Sequence, residues 1–492
     1  MIAAHLPALQ IVLPLIAAPL AVVLRRPGMV WLLALVVSWA SFAIAVALLI
    51  QVMESGPISY RIGGWAAPWG IEYRIDQIGG LVLVIVSAIG AVCMPYARAS
   101  VASEIAEDRI YLFYAMYLLC LTGLLGIAIT GDAFNLFVFL EISSLSSYVL
   151  ISLGDKRRAL TAAYRYLVMG TIGATFYLIG VGLMYMMTGT LNMADLAERL
   201  PAVADTRTVL AALAFLTVGL SLKLALFPLH TWLPNAYAYA PSVVTVFLAA
   251  TATKVALYAL IRILFTVFGK VDVFAIMPVD EILLGLAVAA MFVGSLVAIF
   301  QTDVKRLLAY SSVAQIGYMV LGISLATATG LAGGIIHLFN HALIKCALFM
   351  VMGCVAMRAG GVELEDMAGL GRRMPWTMAA FVAGGLSLIG VPLTVGFVSK
   401  WVLVQAALEL GWWPIAGLII VSSLLAVIYV WKIVEVAYFR APSTDRDIIE
   451  APASMVVTTW IMAGAAIYFG IDATRTLDVA NAAAAFLMGA AP

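Results

Sequence analysis

The sequence predicts an all-α, polytopic membrane protein of about fourteen transmembrane helices. Of its 492 residues, 64% are hydrophobic and 11% charged, whereas a soluble domain carries about 25% charge. Mean hydropathy is +1.09. The apolar residues fall in runs of about 20, the length that crosses a bilayer. The formal net charge of +1 offers nothing to nucleic acid. Cys93, Cys120, Cys346 and Cys354 lie in or beside apolar runs and form no C-x-x-C, so neither a metal knuckle nor a disulfide framework is implied.

The predicted spans are 7–25, 29–52, 77–96, 110–130, 133–153, 160–188, 208–233, 242–267, 281–301, 306–326, 330–357, 375–408, 415–439 and 453–472. Arg25 and Arg26 follow the first run instead of preceding it, which argues for a retained helix with its N-terminus outside. The polar stretch 53–76, rich in Gly, Trp and Pro, reads as an ordered cap with Trp65 and Trp69 as interfacial anchors. Pro228 should break the seventh span, because proline removes a backbone donor. The twelfth, 34 residues long, is too long for one straight crossing and carries Gly390 and Pro392 as breaks.

Alternating crossings sort the loop cations unequally. One face collects fifteen: Arg25, Arg26, Arg98, Arg109, Lys156, Arg157, Arg158, Arg165, Lys305, Arg306, Arg358, Arg372, Arg373, Arg440 and Arg446. The other collects seven: Arg61, Arg74, Arg199, Arg207, Arg262, Lys270 and Arg475. The positive-inside rule makes the first face cytoplasmic and places both termini in the periplasm. Residues 1–109 hold three N-terminal helices, 110–267 and 281–439 hold five each, and 453–492 hold the last helix and a tail. An odd number of helices gives the second five an inverted topology, a common transporter plan.

Half of the eight lysines sit at bilayer depth: Lys223, Lys254, Lys345 and Lys400. A charge there costs about 2.5–3.5 kcal/mol or more and usually marks an ion or proton path. Lys223 precedes Pro228, and broken helices at that depth line cavities; a snorkelling lysine is the rival reading. Glu141, inside the fifth span and followed by Ser143, Ser144, Ser146 and Ser147, could hold Lys223 charged or, by moving away, let desolvation release its proton. A static buried pair is the alternative. Lys254, with Thr251 and Thr253, lies twelve residues into its span. His337, His341 and Lys345 recur at i, i+4 and i+8, each step turning only about 40°, so they line one stripe with Asn340 beside it. That stripe suits a proton wire; its rivals are a satisfied core and a metal site, the latter disfavoured by the ammonium and the lack of a carboxylate ligand in that helix. Lys400 follows the Gly390–Pro392 break. Lys432 and Glu435 read as an interfacial i, i+3 pair. No P-loop, dinucleotide fingerprint, H-E-x-x-H, haem or iron–sulfur spacing occurs, so no cofactor is implied, and the driving energy must come from an ion gradient or a partner.

Together NLFVFLE with Glu141, LSLKLALFPLHTWLP with Lys223, Lys254, HLFNHALIK with Lys345, LEDMAGLGRRMPW, and GFVSKW with Lys400 resemble the antiporter-like proton-translocating subunits. That family is shared by respiratory complex I, membrane-bound hydrogenases and Mrp-type cation/proton antiporters. The resemblance implies two inverted half-channels, broken helices bearing Lys223 and Lys400, Glu141 as partner of Lys223, Lys254 as the middle link, and Lys345 and Lys400 in the other half-channel. SSYVLISLG and GTLNMADL look most like the D-type subunits of Mrp antiporters. Thr175 stands where some relatives bear aspartate; His230, Thr175, Lys432 and Glu435 are secondary candidates. The expected function is therefore proton translocation within a multisubunit sodium/proton antiporter of a bacterial inner membrane, with other membrane subunits as partners and protons and sodium as cargo. The alternatives are a proton-pumping arm of a complex I-like or hydrogenase-like redox enzyme, and a non-transporting structural subunit.

Overall fold

The computed structural model describes residues 2–154, 157–442 and 448–489. Lys156 and Arg446, counted above among the loop cations, lie outside them. Among the described residues, thirteen helices are long and apolar enough to cross a membrane, and the protein is multi-pass and nearly all-helical. The N-terminal helices are α1 (Leu6–Leu24), α2 (Pro27–Ser55) and α3 (Gln77–Glu104). Next come α4 (Ile110–Ile129), α5 (Ala133–Ser152), α6 (Arg157–Thr188), the short α7 (Met193–Arg199), α8 (Arg207–Leu224), α9 (Leu233–Tyr239) and α10 (Ser242–Ile261), which runs on as a π-helical turn to Val267. The short α11 (Val273–Ile276) leads to α12 (Val279–Ile299), α13 (Val304–Ser324), α14 (Ala328–Ala359), α15 (Leu370–Arg373), α16 (Pro375–Ile389), α17 (Val395–Glu409), α18 (Trp413–Phe439), α19 (Ala453–Ile471) and α20 (Thr474–Leu487).

Capping side chains set many of the helix starts. Asp76 accepts from Gly79 N at 3.0 Å, Asp132 from Asn135 N at 2.7 Å, Asp303 from Arg306 N at 2.8 Å and Thr327 from Gly330 N at 3.1 Å, each satisfying an orphan helix donor. Burial then separates inner from outer helices. α10 and α13 are 94% buried, whereas α1, α2, α6, α12 and α18 are at most 39% buried and leave apolar side chains for lipid. α10 packs on α3, α8 and α14, and α14 packs on α13, α16, α17 and α19. These central helices carry most of the charged candidates.

Both expected helix breaks are present, with details that sequence did not supply. α8 ends at Leu224, before Pro228 is reached: Ala225 adopts φ 61°, and Leu226 N bonds back to Ser221 O at 3.0 Å. The Leu222 carbonyl accepts from Ala225 N at 3.2 Å and from Trp232 Nε1 at 3.0 Å. Proline keeps the chain from resuming the helix at once, but a left-handed residue ends it. The twelfth span is two helices, α16 and α17, joined by residues 390–394 with Gly390 at φ 94° and Leu393 at φ 70°.

Segment 53–76 forms an antiparallel hairpin of β1 (Ile58–Arg61) and β2 (Glu72–Ile75), with Ile58 opposite Ile75. Trp65 and Trp69 stand out from its tip, 71% and 91% exposed, as interfacial anchors would. His5 Nδ1 meets Tyr60 Oη at 3.0 Å, and Leu487 and Met488 share a cavity of about 320 Å³ with Arg74 and Asp76. The described N-terminal residues, the hairpin and the end of α20 therefore lie at one end of the bundle, as the alternating topology requires.

Candidate functional site

Lys223 is the penultimate residue of α8, so its ammonium stands at the negative end of a helix broken inside the membrane. Its Nζ lies 3.3 Å from Glu141 Oε1 and donates to Ser144 Oγ at 2.7 Å. Beside it is a cavity of about 20 Å³ lined by Ser143, Ser144, Ser147, Tyr166, Ala252 and Ala256, space for about one water. Ala252 and Ala256, one turn apart on one face of α10, place the cavity between Lys223 and that helix. The serines after Glu141 thus form the polar wall that the sequence suggests, and Tyr166 closes it by stacking on Trp232 at 3.9 Å.

Lys254 is fully buried. Its Nζ donates to Ala249 O and, at 3.4 Å, to Thr253 Oγ1. Because α10 packs on both α8 and α14, Lys254 stands between the two halves of the chain. On α14 the rings of His337 and His341 lie parallel, 6.2 Å apart and 4° from coplanar in orientation, which is what a shared helical stripe requires. His337 Nδ1 meets Ser399 Oγ at 2.8 Å. Neither ring nitrogen of His341 has a protein hydrogen-bond partner among the described residues. Lys345 Nζ donates to Leu308 O of α13 at 2.8 Å and also to Ser311 Oγ. Asn340 Nδ2 donates to Val395 O at 2.6 Å, tying the stripe to the start of α17.

Lys400 turns back to the helix before the break. Its Nζ donates to Leu388 O at 3.0 Å and Ile389 O at 2.8 Å, the last carbonyls of α16. The same ammonium sits 4.9 Å from the centre of the Tyr318 ring, and that ring is 5.5 Å from the ring of His337. Lys400, Tyr318, His337 and His341 therefore form one contiguous group.

The secondary candidates fare differently. Thr175 is exposed on the outside of α6 and bonds only its own helix, to Thr171 O at 2.9 Å. It does not reach the first lysine pair. Lys432 and Glu435 are not a pair. Lys432 Nζ donates to Ile299 O at 3.1 Å and Gln301 O at 3.2 Å, capping α12, while Glu435 binds Arg440 at 3.1 Å. Carbonyls left over at a helix end compete for the lysine more directly than a carboxylate one turn away. His230 lies half-buried in the α8–α9 connection, stacked on Phe227 and 6.2 Å from the Tyr310 ring.

Two buried clusters escaped the sequence reading. Arg262, counted there as a loop cation, is buried on α10 and pairs through both terminal nitrogens with Asp76, while its Nε donates to Tyr258 Oη at 2.8 Å. Burial acts to raise the Asp76 carboxyl, but the Arg262 charge and hydrogen bonds outweigh it and hold it below its ordinary value. Lys305, also counted as a loop cation, is buried at the start of α13 and donates to Ser242 Oγ at 2.9 Å. Asp76 before an apolar run is a capping signal; nothing in the sequence around Lys305 announces its burial.

A membrane bundle with two broken helices, each presenting a lysine, and a buried row of lysines and histidines between them defines a polytopic proton-translocating subunit. The chain belongs to the NADH:quinone oxidoreductase/Mrp antiporter transmembrane family, whose model matches residues 130–426. It is 43% identical over 484 residues to NADH-quinone oxidoreductase subunit N of Desulforudis audaxviator, covering 95% of this chain and 96% of that one. It is 33% identical over 396 residues to the D-type subunit of the Na(+)/H(+) antiporter of Alkalihalophilus pseudofirmus, covering 80% and 79%. Its fold is similar to a chain of the membrane-bound sulfane sulfur reductase, an archaeal respiratory membrane complex, with TM-score 0.91, 33% identity and 98% coverage of both chains. It is an antiporter-like subunit of Mrp or complex I-like assemblies and partners other membrane subunits.

Proposed function

We propose that protons move along Glu141, Lys223, Lys254, the His341–His337 stripe with Lys345, and Lys400, with 110–267 and 281–439 acting as two half-channels that meet at Lys254. The observation that carries the reading is the arrangement of the ammonium groups. Lys223 and Lys400 each sit at a helix break, Lys254 lies between them, and each has hydroxyl or carbonyl partners in place of a locked carboxylate pair, Glu141 being the exception. A charge arriving at one lysine repels its neighbour's proton onward, and the carbonyl and serine partners accept whichever ammonium forms. Both termini and the hairpin face the periplasm in this reading, following the cation bias.

The assembly it serves, in the reading that full-length likeness favours, is a redox-driven, complex I-like one: identity to the NADH-quinone oxidoreductase relative is higher and extends over more of the chain than identity to the antiporter relative. The second reading is a sodium/proton antiporter component in a bacterial inner membrane, favoured by the SSYVLISLG and GTLNMADL segments. Purification of the native complex separates them. Iron–sulfur proteins in stoichiometric amount support the first; small membrane subunits alone support the second. Proton translocation by the complete complex in vesicles tests the path, and normal translocation with Lys223→Arg would reject it, since guanidinium holds its proton at working pH.

A further inference from the structure

At the end of the bundle opposite the hairpin, three side chains from three helices repeat the chemistry of the Glu141–Ser144–Lys223 group. Glu104, half-buried at the C-terminal end of α3, accepts through Oε2 from Ser242 N at 2.9 Å and from Ser242 Oγ at 3.2 Å. Ser242 is the first residue of α10, and its hydroxyl also receives Lys305 Nζ at 2.9 Å. Ser242 is fully buried and Lys305 is 4% exposed. A carboxylate, a hydroxyl and an ammonium thus form an unbroken hydrogen-bonded line from a partly exposed group to a buried one.

The line and the stripe on α14 both end on α13. Lys345 rests on Leu308 O and Ser311 Oγ of α13; these residues are three and six positions beyond Lys305, about 4.5 and 9 Å along the helix. The approach of the helices is built for this closeness. Gly353, on α14, leaves room where a methyl group would come within 1.9 Å of Tyr96 Oη and 2.9 Å of Ser242 Cβ. Other titratable groups face the cluster. Tyr96 of α3 bonds Met350 O of α14 at 2.9 Å, Cys354 lies beside Tyr96, and Arg358 and Glu450 lie beside Cys354.

We propose that Glu104, Ser242 and Lys305 form a second proton-loading site, which takes protons from the aqueous phase at this end and passes them to Lys345. The Glu104 carboxyl binds a proton from water. It gives that proton to the Ser242 hydroxyl, which releases its own proton to the neutral Lys305 amine and then turns back. Lys305 ammonium in turn transfers one proton to the neutral Lys345 amine, so Glu104, Ser242 and Lys305 end as they began, Lys345 is left as the ammonium, and no other reactant is consumed. The inference rests on the proton path proposed above.

The test uses the complete complex in inverted vesicles, driven by its electron donor or cation gradient, with proton transfer read as a function of the pH on the Glu104 side. Glu104→Gln and Ser242→Ala should each slow transfer about 100-fold or more at pH 8, the lower end of what a positioned acid–base group supplies, and approach the wild-type rate near pH 6, where bulk protons replace the site. Lys305→Gln should lose transfer at both values. A loss in Glu104→Gln that is equal at pH 6 and pH 8 would mark a structural cap and overturn the proposal. So would unchanged rates in Glu104→Gln and Ser242→Ala while Lys223→Ala abolishes transfer. Normal transfer in Lys223→Ala would instead withdraw the path itself, and this site with it.

Discussion

Lys223 holds its ammonium 3.3 Å from Glu141 Oε1 across 82 residues of chain. The pair is asymmetric in surroundings: the lysine side chain is 4% exposed and the carboxylate side chain 23%. The carboxylate is therefore the less enclosed of the two, and the lysine lines the small cavity against α10.

Removing either partner should stop transport without preventing insertion. Lys223→Ala lightens the membrane burden, and Glu141→Ala leaves the ammonium without its counter-charge. Each is expected to lower proton transfer by about 100-fold or more at matched expression. The check is vesicle acidification by the complete complex.

Lys400 and Lys432 offer a contrast between two helix caps. Both donate to carbonyls at a helix end, Lys400 to α16 and Lys432 to α12. An arginine can keep either cap but cannot hand on a proton. Lys400→Arg should assemble and lose transfer; Lys432→Arg should assemble and keep it. Equal behaviour of the two variants would contradict the assignment of Lys400 to the path.

The Asp76–Arg262 pair is expected to be a stability element. Asp76→Asn leaves a buried guanidinium without its charge partner, a change that costs about 3–5 kcal/mol. Because the Asp76 carboxyl is held below its ordinary value, its contribution is present above the unfolded carboxylate's value of about 3.9 and is lost as pH falls through the folded one. The melting difference between wild type and Asp76→Asn should therefore be level from about pH 5 upward and shrink only in stronger acid. A difference that grows on acidification would reverse the sign and refute this account.

Topology can be read by cysteine labelling. Ser55→Cys, beside the hairpin, should react with an impermeant thiol reagent from the periplasm, and Asp108→Cys, between α3 and α4, from the cytoplasm. Labelling in the opposite sense would invert the assignment of sides.

Much of the fold was legible because bilayer depth imposes a length and an apolarity on every crossing. The spans from 7–25 to 453–472 needed no partner contact to be seen, and lysines at depth stand out against an apolar background. The His337, His341 and Lys345 stripe was equally legible, since helical period alone places the three on one face. Where a cation lay near the end of a run, the same logic failed. Arg262 and Lys305 were indistinguishable from loop cations, because burial at a helix end depends on which neighbour comes to cover it. Thr175 and the Lys432–Glu435 spacing failed for a related reason, as one faces outward and the other two residues have nearer partners.

The sequence by itself determined the class of molecule, the number and order of crossings, and the lysines and histidines placed where a charge is costly. The tertiary structure alone decided which of them meet: Glu141 with Lys223, Tyr318 with Lys400 and His337, Asp76 with Arg262, and Glu104 with Lys305 through Ser242. The physical reason lies in range. Hydropathy and helical period are local properties that any single segment carries, whereas the partner of a buried charge is chosen by helix packing between segments far apart in the chain, and by the helix breaks that turn carbonyls toward an ammonium.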